Sequence, residues 1–265
     1  MSFQIALLQF CPMRKNLDEN IRLIRSMLSG LKSDLIVLPE LSNSGYLYES
    51  SSILEQFSEP SDVSGPFLSA IQILAGESDG IIVTGYSELA GNGLYNSAAA
   101  VSKDGLLSNY RKTHLYATEK KLFQPGDTGF TVFQWKNVQI GLMVCFDWIF
   151  PESARSLALQ GAQIIAHPAN LVLPYCQDAM VTRSIENRVF SITANRIGQE
   201  SLQEKMLNFT GKSQITHSSG KVLYRAPQDK ATLHVMSIDP EEANQKMISN
   251  NNHLLRDRRP ELYKT

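Results

Sequence analysis

The chain is short of the residues that mark several protein classes. It has three cysteines, Cys11, Cys145 and Cys176, among 265 residues. None is spaced as C-x-x-C and the count is odd, which argues against a disulfide framework and makes a reducing cytoplasm the expected compartment. Net charge is −1, from 25 basic and 26 acidic residues, so there is no electrostatic case for nucleic acid or an anionic membrane. The basic run Arg256-Asp257-Arg258-Arg259 is local and broken by an acid, and reads as a solvated tail or subunit contact. No apolar run is long enough to span a bilayer. The first ten residues have no basic start and no long apolar core, so they read as a strand and not a signal peptide. The five histidines, His114, His167, His217, His234 and His253, are not spaced as ligand pairs, and no metal site is expected. The G-x-S-x-G, H-E-x-x-H and P-loop patterns are also missing.

What remains is an ordinary globular composition in which short apolar strands alternate with helices. Strands are expected at Ile5 to Phe10, Leu35 to Leu38, Ile81 to Gly85, Leu94 to Val101, Leu106 to Tyr110, Thr131 to Trp135 and Val138 to Val144. Further strands follow at Ile164 to Ala166, Phe190 to Ala194, Gly211 to Thr216, Val222 to Tyr224 and Leu233 to Ile238. Helices are expected from about Asn16, from Pro66, from Pro151 to about Gln160, around Met180 and Ile185, and from Pro240. Gly91-Asn92-Gly93 lacks a third glycine and a following helix, so it reads as a turn and not as a dinucleotide fingerprint. No Gly/Ser/Pro-rich linker divides the chain. It reads as one α/β domain over residues 1–265 with mixed sheets and a patternless tail from about Leu254.

Chemistry concentrates where strands end. Gly141 to Glu152 begins as a strand and continues into a helix opened by Pro151, with Cys145 at the junction. Taken alone, Cys145 reads as a packed apolar residue. Glu40 and Lys112, however, also follow directly on expected strands, and strand carboxyl ends are where α/β sites assemble. A free thiol is only a few per cent thiolate at neutral pH. A lysine nearby favours the thiolate and a carboxylate can take its proton. A Cys–His pair, with His167 as partner, stays open on the sequence alone.

These residues resemble the nitrilase superfamily of carbon–nitrogen hydrolases. Leu38-Pro39-Glu40-Leu41 with Gly45-Tyr46 resembles its glutamate segment, Tyr110 to Leu115 its lysine segment, and Val144-Cys145-Phe146-Asp147 with Phe150-Pro151-Glu152 its cysteine elbow. Tyr95-Asn96, Phe123 to Gly126, His167 to Asn170, Arg188 with Asn195-Arg196, and Gly211 to Ile215 resemble supporting positions, so the likeness runs from Gln4 to about Tyr263. The resemblance implies a four-layer α-β-β-α sandwich, and a homodimer or larger assembly with the helices after the elbow packed between subunits. It implies Glu40, Lys112 and Cys145 as the catalytic unit, Glu119 as a second glutamate orienting Lys112, and Tyr46, Phe146, Trp148 and Asn170 around the substrate. It implies a thioester mechanism with no metal or organic cofactor. At the positions after the elbow aspartate where carbamoyl-amino-acid hydrolases often place an arginine, this chain has Trp148 and Ile149. A small, largely aliphatic amide is therefore the expected substrate, with a nitrile second and a carbamoyl compound third. A silent oligomeric binding protein is the contrasting expectation from another class.

Overall fold

The computed structural model describes residues 2–91 and 93–263. In chain order the first strands are β1 (Phe3–Gln9), β2 (Leu35–Val37), β3 (Ile81–Ala90), β4 (Gly93–Ser102) and β5 (Gly105–Arg111). Next come β6 (Val132–Trp135), β7 (Val138–Leu142), β8 (Ile164–Ala169), β9 (Phe190–Asn195), β10 (Gln199–Leu202) and β11 (Lys205–Asn208). The last are β12 (Gln214–Thr216), β13 (Val222–Arg225), β14 (Thr232–Ile238), β15 (Met247–Ser249) and β16 (Asn252–His253). The helices are α1 (Leu17–Leu28), α2 (Ser51–Glu55), α3 (Pro66–Ser78), α4 (Pro151–Leu159) and α5 (Cys176–Asn187). Asn16 caps α1 by accepting from the Glu19 N–H, and Pro66 and Pro151 open α3 and α4.

Two six-stranded mixed sheets stack face to face. Their orders are β14-β1-β2-β3-β4-β5 and β13-β12-β9-β8-β7-β6. In each, three central strands are parallel, β1 to β3 and β7 to β9, and antiparallel strands extend both flanks. Period-two alternation fixes the layers. In β1, Ile5 and Leu7 meet the second sheet's Ile140, Leu142, Ile164 and Ile192, while Ala6 and Leu8 face the α1 and α3 residues Ile24, Phe67 and Ile71. On the far side Leu157 of α4 and Met180 of α5 cover the second sheet. The order of layers is helix, sheet, sheet, helix, as expected.

Several local expectations change. The turn at Gly91-Asn92-Gly93 includes Asn92, which lies outside the described residues. The helix expected from Pro240 is one 3-10 turn, Pro240–Asn244. A small β15–β16 hairpin that was not expected lies just before the tail, and the tail from Leu254, expected to be patternless, carries a 3-10 turn at Pro260–Leu262. The strand expected from Gly211 begins only at Gln214, because Gly211 has φ +54 and Lys212 φ +53, conformations no strand holds.

The topology aims one edge at a common point. β5 is antiparallel to β4, which is antiparallel to β3, so β2, β3 and β5 all run toward the same edge. The residues just past the carboxyl ends of β2 and β5 include Glu40 and Lys112, and β3 carries Gly85 between them. The second sheet presents the loops after β7 and β8, which hold Cys145 and Asn170.

Candidate active site

Glu40 sits three residues past β2, fully buried, with Leu41 beside it at φ +49. Its backbone lies hard against β3. A Cβ on Gly85 would stand 2.4 Å from the Glu40 Cα, so glycine is what allows the two to touch. Lys112 follows β5 and is held by its own N–H donating to the Asn96 carbonyl at 2.8 Å. Cys145 opens a one-turn 3-10 helix, Cys145–Ile149, at φ +42. A non-glycine residue there is strained by about 1–3 kcal/mol, a device found at functional turns. The sequence placed a strand-to-helix junction at this point; the structure adds a 3-10 turn between β7 and α4.

That turn is anchored by Asp147. Its fully buried carboxylate accepts from the Val144 N–H at 2.9 Å and the Tyr110 hydroxyl at 2.8 Å, and lies 2.8 Å from the His114 Nδ1. Burial and the Asp147 charge push the Tyr110 phenol well up, which keeps it a donor. The His167 ring lies 2.9 Å from the Cys145 carbonyl through Nε2 and 3.1 Å from the Thr193 hydroxyl through Nδ1. Burial lowers its pKa to about 4, so the ring is neutral, and the carbonyl requires the proton on Nε2. His167 therefore braces the turn through the backbone. The geometry gives it no bond to the Cys145 sulfur, which removes the Cys–His reading.

Lys112 spends three N–H donors on carboxylates. They go to Glu40 Oε1 at 2.7 Å and to Glu119 Oε1 and Oε2 at 2.9 and 2.8 Å. Burial works against the ammonium, but Glu119 and Glu40 outweigh it and hold its pKa well above the ordinary lysine value. Glu119 lies in a one-turn 3-10 helix, Ala117–Lys121, and also accepts from the Tyr46 hydroxyl at 2.6 Å and the Tyr116 N–H at 3.1 Å. Glu40 Oε1 accepts a second bond, from Asn96 Nδ2 at 2.7 Å, whereas Glu40 Oε2 is buried without a partner. Burial raises the Glu40 pKa against the pull of Lys112, with Glu119 adding to the rise. Burial likewise raises the Cys145 thiol well above its usual value, and the Glu40 charge adds to this while Lys112 opposes it. The pocket thus holds a neutral thiol beside one cation and two carboxylates.

Three of the four expected substrate residues line one crevice, and Tyr46 does not. Phe146, Trp148 and Asn170 surround Cys145 there with Tyr116, Leu171, Val172 and Leu173, and the free volume is about 10 Å³, room for a water molecule. Tyr46 stands behind it, on Glu119. Asn170 is buried, and both its Oδ1 and its Nδ2 lack partners. A neighbouring pocket of about 400 Å³ shares Phe146 and adds His114, Lys120, Phe123 and Phe150. A cavity of about 660 Å³ lies elsewhere, between the β9, β13 and β14 ends, and contains none of these groups.

Sequence reasoning did not single out three supporting groups as site residues. Asn96 and Asp147 sit inside the motifs, but nothing in the pattern shows that Asn96 bonds Glu40 or that Asp147 bonds Tyr110 and Val144. The Arg196–Glu200 pair is the third. Glu200 accepts from the Tyr46 and Leu47 N–H groups at 3.1 and 2.7 Å, and the buried Arg196 guanidinium pairs with it and lies 4.0 Å over the Phe209 ring. Among the described residues no cluster of three His, Cys, Asp or Glu is placed to hold a metal ion.

The carbon–nitrogen hydrolase family pattern matches residues 4–246. A nitrilase from Pyrococcus abyssi is 41% identical over 251 residues, 94% of this chain and 93% of that protein. An (R)-stereoselective amidase from a Pseudomonas species is 33% identical, covering 86% of this chain and 80% of the amidase. The crystal structure of a carbon–nitrogen hydrolase from Helicobacter pylori superposes with a TM-score of 0.87 at 25% identity, over 99% of this chain and 97% of that one.

Proposed function

The chain belongs to the carbon–nitrogen hydrolase family, and on that premise we propose that it hydrolyses a small, largely aliphatic amide through a thioester on Cys145, releasing ammonia and a carboxylic acid. The observation that carries this reading is Glu40. One of its oxygens is saturated by Lys112 and Asn96, and the other is buried with no partner while its pKa is raised. A raised carboxylate with a bare oxygen is a competent proton acceptor. Passing the Cys145 proton to Glu40 also leaves the pocket's net charge unchanged, so a low-dielectric site tolerates it.

The thiolate then attacks the carbonyl carbon. The Phe146 N–H, at the start of the 3-10 turn, is the backbone donor for the developing oxyanion, and the Lys112 charge assists. Because Lys112 already donates three bonds, it contacts the oxyanion directly only by giving up one to Glu119. Glu119 and Tyr46 hold the lysine until then. Glu40 returns its proton to the departing ammonia, and water activated by Glu40 hydrolyses the thioester. No metal or organic cofactor enters these steps.

Asn170 supports an amide over a nitrile. Its unpaired acceptor and donor complement an amide's N–H and carbonyl, whereas a nitrile offers only an acceptor and leaves Asn170 Oδ1 unsatisfied. The nitrile remains the second reading because a 41% identical relative is named a nitrilase. A carbamoyl substrate with a carboxylate gripped after the elbow is disfavoured. Trp148 and Ile149 stand there, and the nearby Arg183 donates to their carbonyls at 3.2 and 3.3 Å. We further propose one domain over residues 1–265, located in the cytoplasm, and self-association through α4 and α5, where Leu159 and Ile185 are exposed and the exposed Ile149 just precedes α4.

Ammonia release from a panel of aliphatic amides, the matching nitriles and N-carbamoyl compounds tests the reading. The amides should rank first by kcat/KM. No release from any of the panel, with the protein folded, would favour a silent binding protein.

A further inference from the structure

One face of β4 is apolar except at its end nearest the site. Side chains alternate along the strand, so Asn96, Ala98 and Ala100 share a face. Ala98 and Ala100 join the core between the two sheets, whereas Ala99 and Val101 join the cluster with the α1 and α3 residues. Asn96 is as enclosed as these alanines, at 1% exposure. A buried amide is costly wherever it is not fully hydrogen-bonded. Here the Oδ1 is buried without a partner. Among the described residues the side chain's hydrogen bond runs from Nδ2 to Glu40 Oε1, at 2.7 Å. A small apolar residue would suit that face better, so what the amide contributes is its bond to Glu40.

The same residue reaches the cation through its backbone. β4 pairs with β5 through Ser97 and Arg111, which brings the Asn96 carbonyl to accept from the Lys112 N–H at 2.8 Å. Lys112 in turn grips Glu119 through both oxygens but Glu40 through Oε1 alone, the oxygen that Asn96 also holds. Both donors fall on one side of the carboxylate, and Oε2 is left bare. The charged and titratable groups that act on Glu40 are Lys112 past β5, Glu119 in its 3-10 turn, Cys145 at the elbow and Tyr46 in the loop after Glu40. None of them lies on β4.

We propose that Asn96 is a positioning residue for the base: its Nδ2 holds Oε1 of Glu40 on the Lys112 side and so leaves Oε2 for the Cys145 proton. The inference rests on the reading of Glu40 as the base that serves Cys145. Asn96 acts through Glu40 and not on the substrate. An N–H donated to a carboxylate favours the charged form. Burial raises the Glu40 pKa, and the Asn96 bond is one of the pulls against that rise. Without it, Glu40 loses its charge at a higher pH.

Two pH profiles test this in the wild type, Asn96→Ala and Asn96→Leu: ammonia release from an aliphatic amide, and alkylation of Cys145 by iodoacetamide followed by mass spectrometry. In the alkylation the sulfur displaces iodide while Glu40 takes the thiol proton, so its acid limb reads the same pair with no amide hydrolysed. Asn96→Ala should lower kcat at least about tenfold with KM within about threefold. Both acid limbs should move up by about one pH unit. Asn96→Leu keeps the branching of the side chain and removes the donor; it should behave alike, and it serves if the alanine variant does not fold. Acid limbs that stay in place or move down in both variants would overturn the proposal, whatever the loss of rate. Alkylation limbs that move up, with no ammonia released from any amide, would support it and remove the amide reading instead.

Discussion

At the scale of single residues, burial decides what each group at the site can do. Cys145 rests as a thiol because burial, reinforced by Glu40, opposes its charge. Burial, with Glu119 adding, likewise raises the Glu40 pKa, and with Glu40 as the proposed base its loss of charge would set the acid limb of activity. The acid limb of kcat/KM should therefore lie above the usual carboxylate range, and Glu40→Gln should remove nearly all turnover. An acid limb at an ordinary glutamate value would speak against Glu40 as the base. Lys112→Met should also inactivate, and it should cost about 3–5 kcal/mol of stability because two buried carboxylates lose their partner. His167 makes a prediction of the opposite kind, on stability alone. Its folded pKa of about 4 lies below the unfolded value of 6.5, so the unfolded chain binds the extra proton between those values. Its contribution is complete above pH 6.5 and is lost as pH falls toward 4, to a total of about 3 kcal/mol. Denaturant unfolding at several pH values should show a shallower acid loss in His167→Gln than in the wild type; parallel curves would contradict this. In the sequence, Glu40 and Lys112 were legible only as a pair with Cys145. Taken singly, both residue types are mostly exposed, and only their mutual pairing lets them be buried.

At the scale of elements, the site depends on short pieces that carry little periodicity. The long strands and α1, α3 and α4 were legible because their apolar alternation runs over many residues. The 3-10 turns at Ala117–Lys121 and Cys145–Ile149 are single turns, too short for any repeat to register. The β10–β11 hairpin is largely exposed and polar, so its alternation carries no hydrophobic signal. Yet it supplies Glu200, whose carboxylate fixes the Tyr46 and Leu47 backbone and thereby the hydroxyl on Glu119. Glu200→Gln strips Arg196 of its buried counter-charge. It should cost about 3–5 kcal/mol in denaturant unfolding and lower kcat. A variant as stable and as active as the wild type would remove the hairpin from the account. Gly85→Ala tests the β3 contact: a Cβ at 2.4 Å from the Glu40 Cα must push one backbone aside, with at least about 1–3 kcal/mol lost and activity lost with it.

At the scale of the whole molecule, two half-domains of like topology each contribute one edge to the site. The first sheet brings the carboxylates and the ammonium, the second brings the thiol and Asn170, and the core between the sheets holds the two edges in register. The crevice beside Cys145 has a free volume of about 10 Å³, so on the proposed reading a longer acyl chain has to extend past its walls. Phe146 is the wall that the crevice shares with the 400 Å³ pocket next to it. Phe146→Ala should raise kcat/KM for longer acyl chains relative to acetamide; an unchanged preference would place the longer chain elsewhere. The central claim, however, is covalent. The wild type should be quenched with acid during turnover of an aliphatic amide, digested and analysed by mass spectrometry. An acyl adduct should appear on the peptide containing Cys145, none on those containing Cys11 or Cys176, and Cys145→Ala should give neither adduct nor ammonia. Ammonia release at the normal rate from Cys145→Ala, or an acyl group carried by another cysteine, would contradict the account.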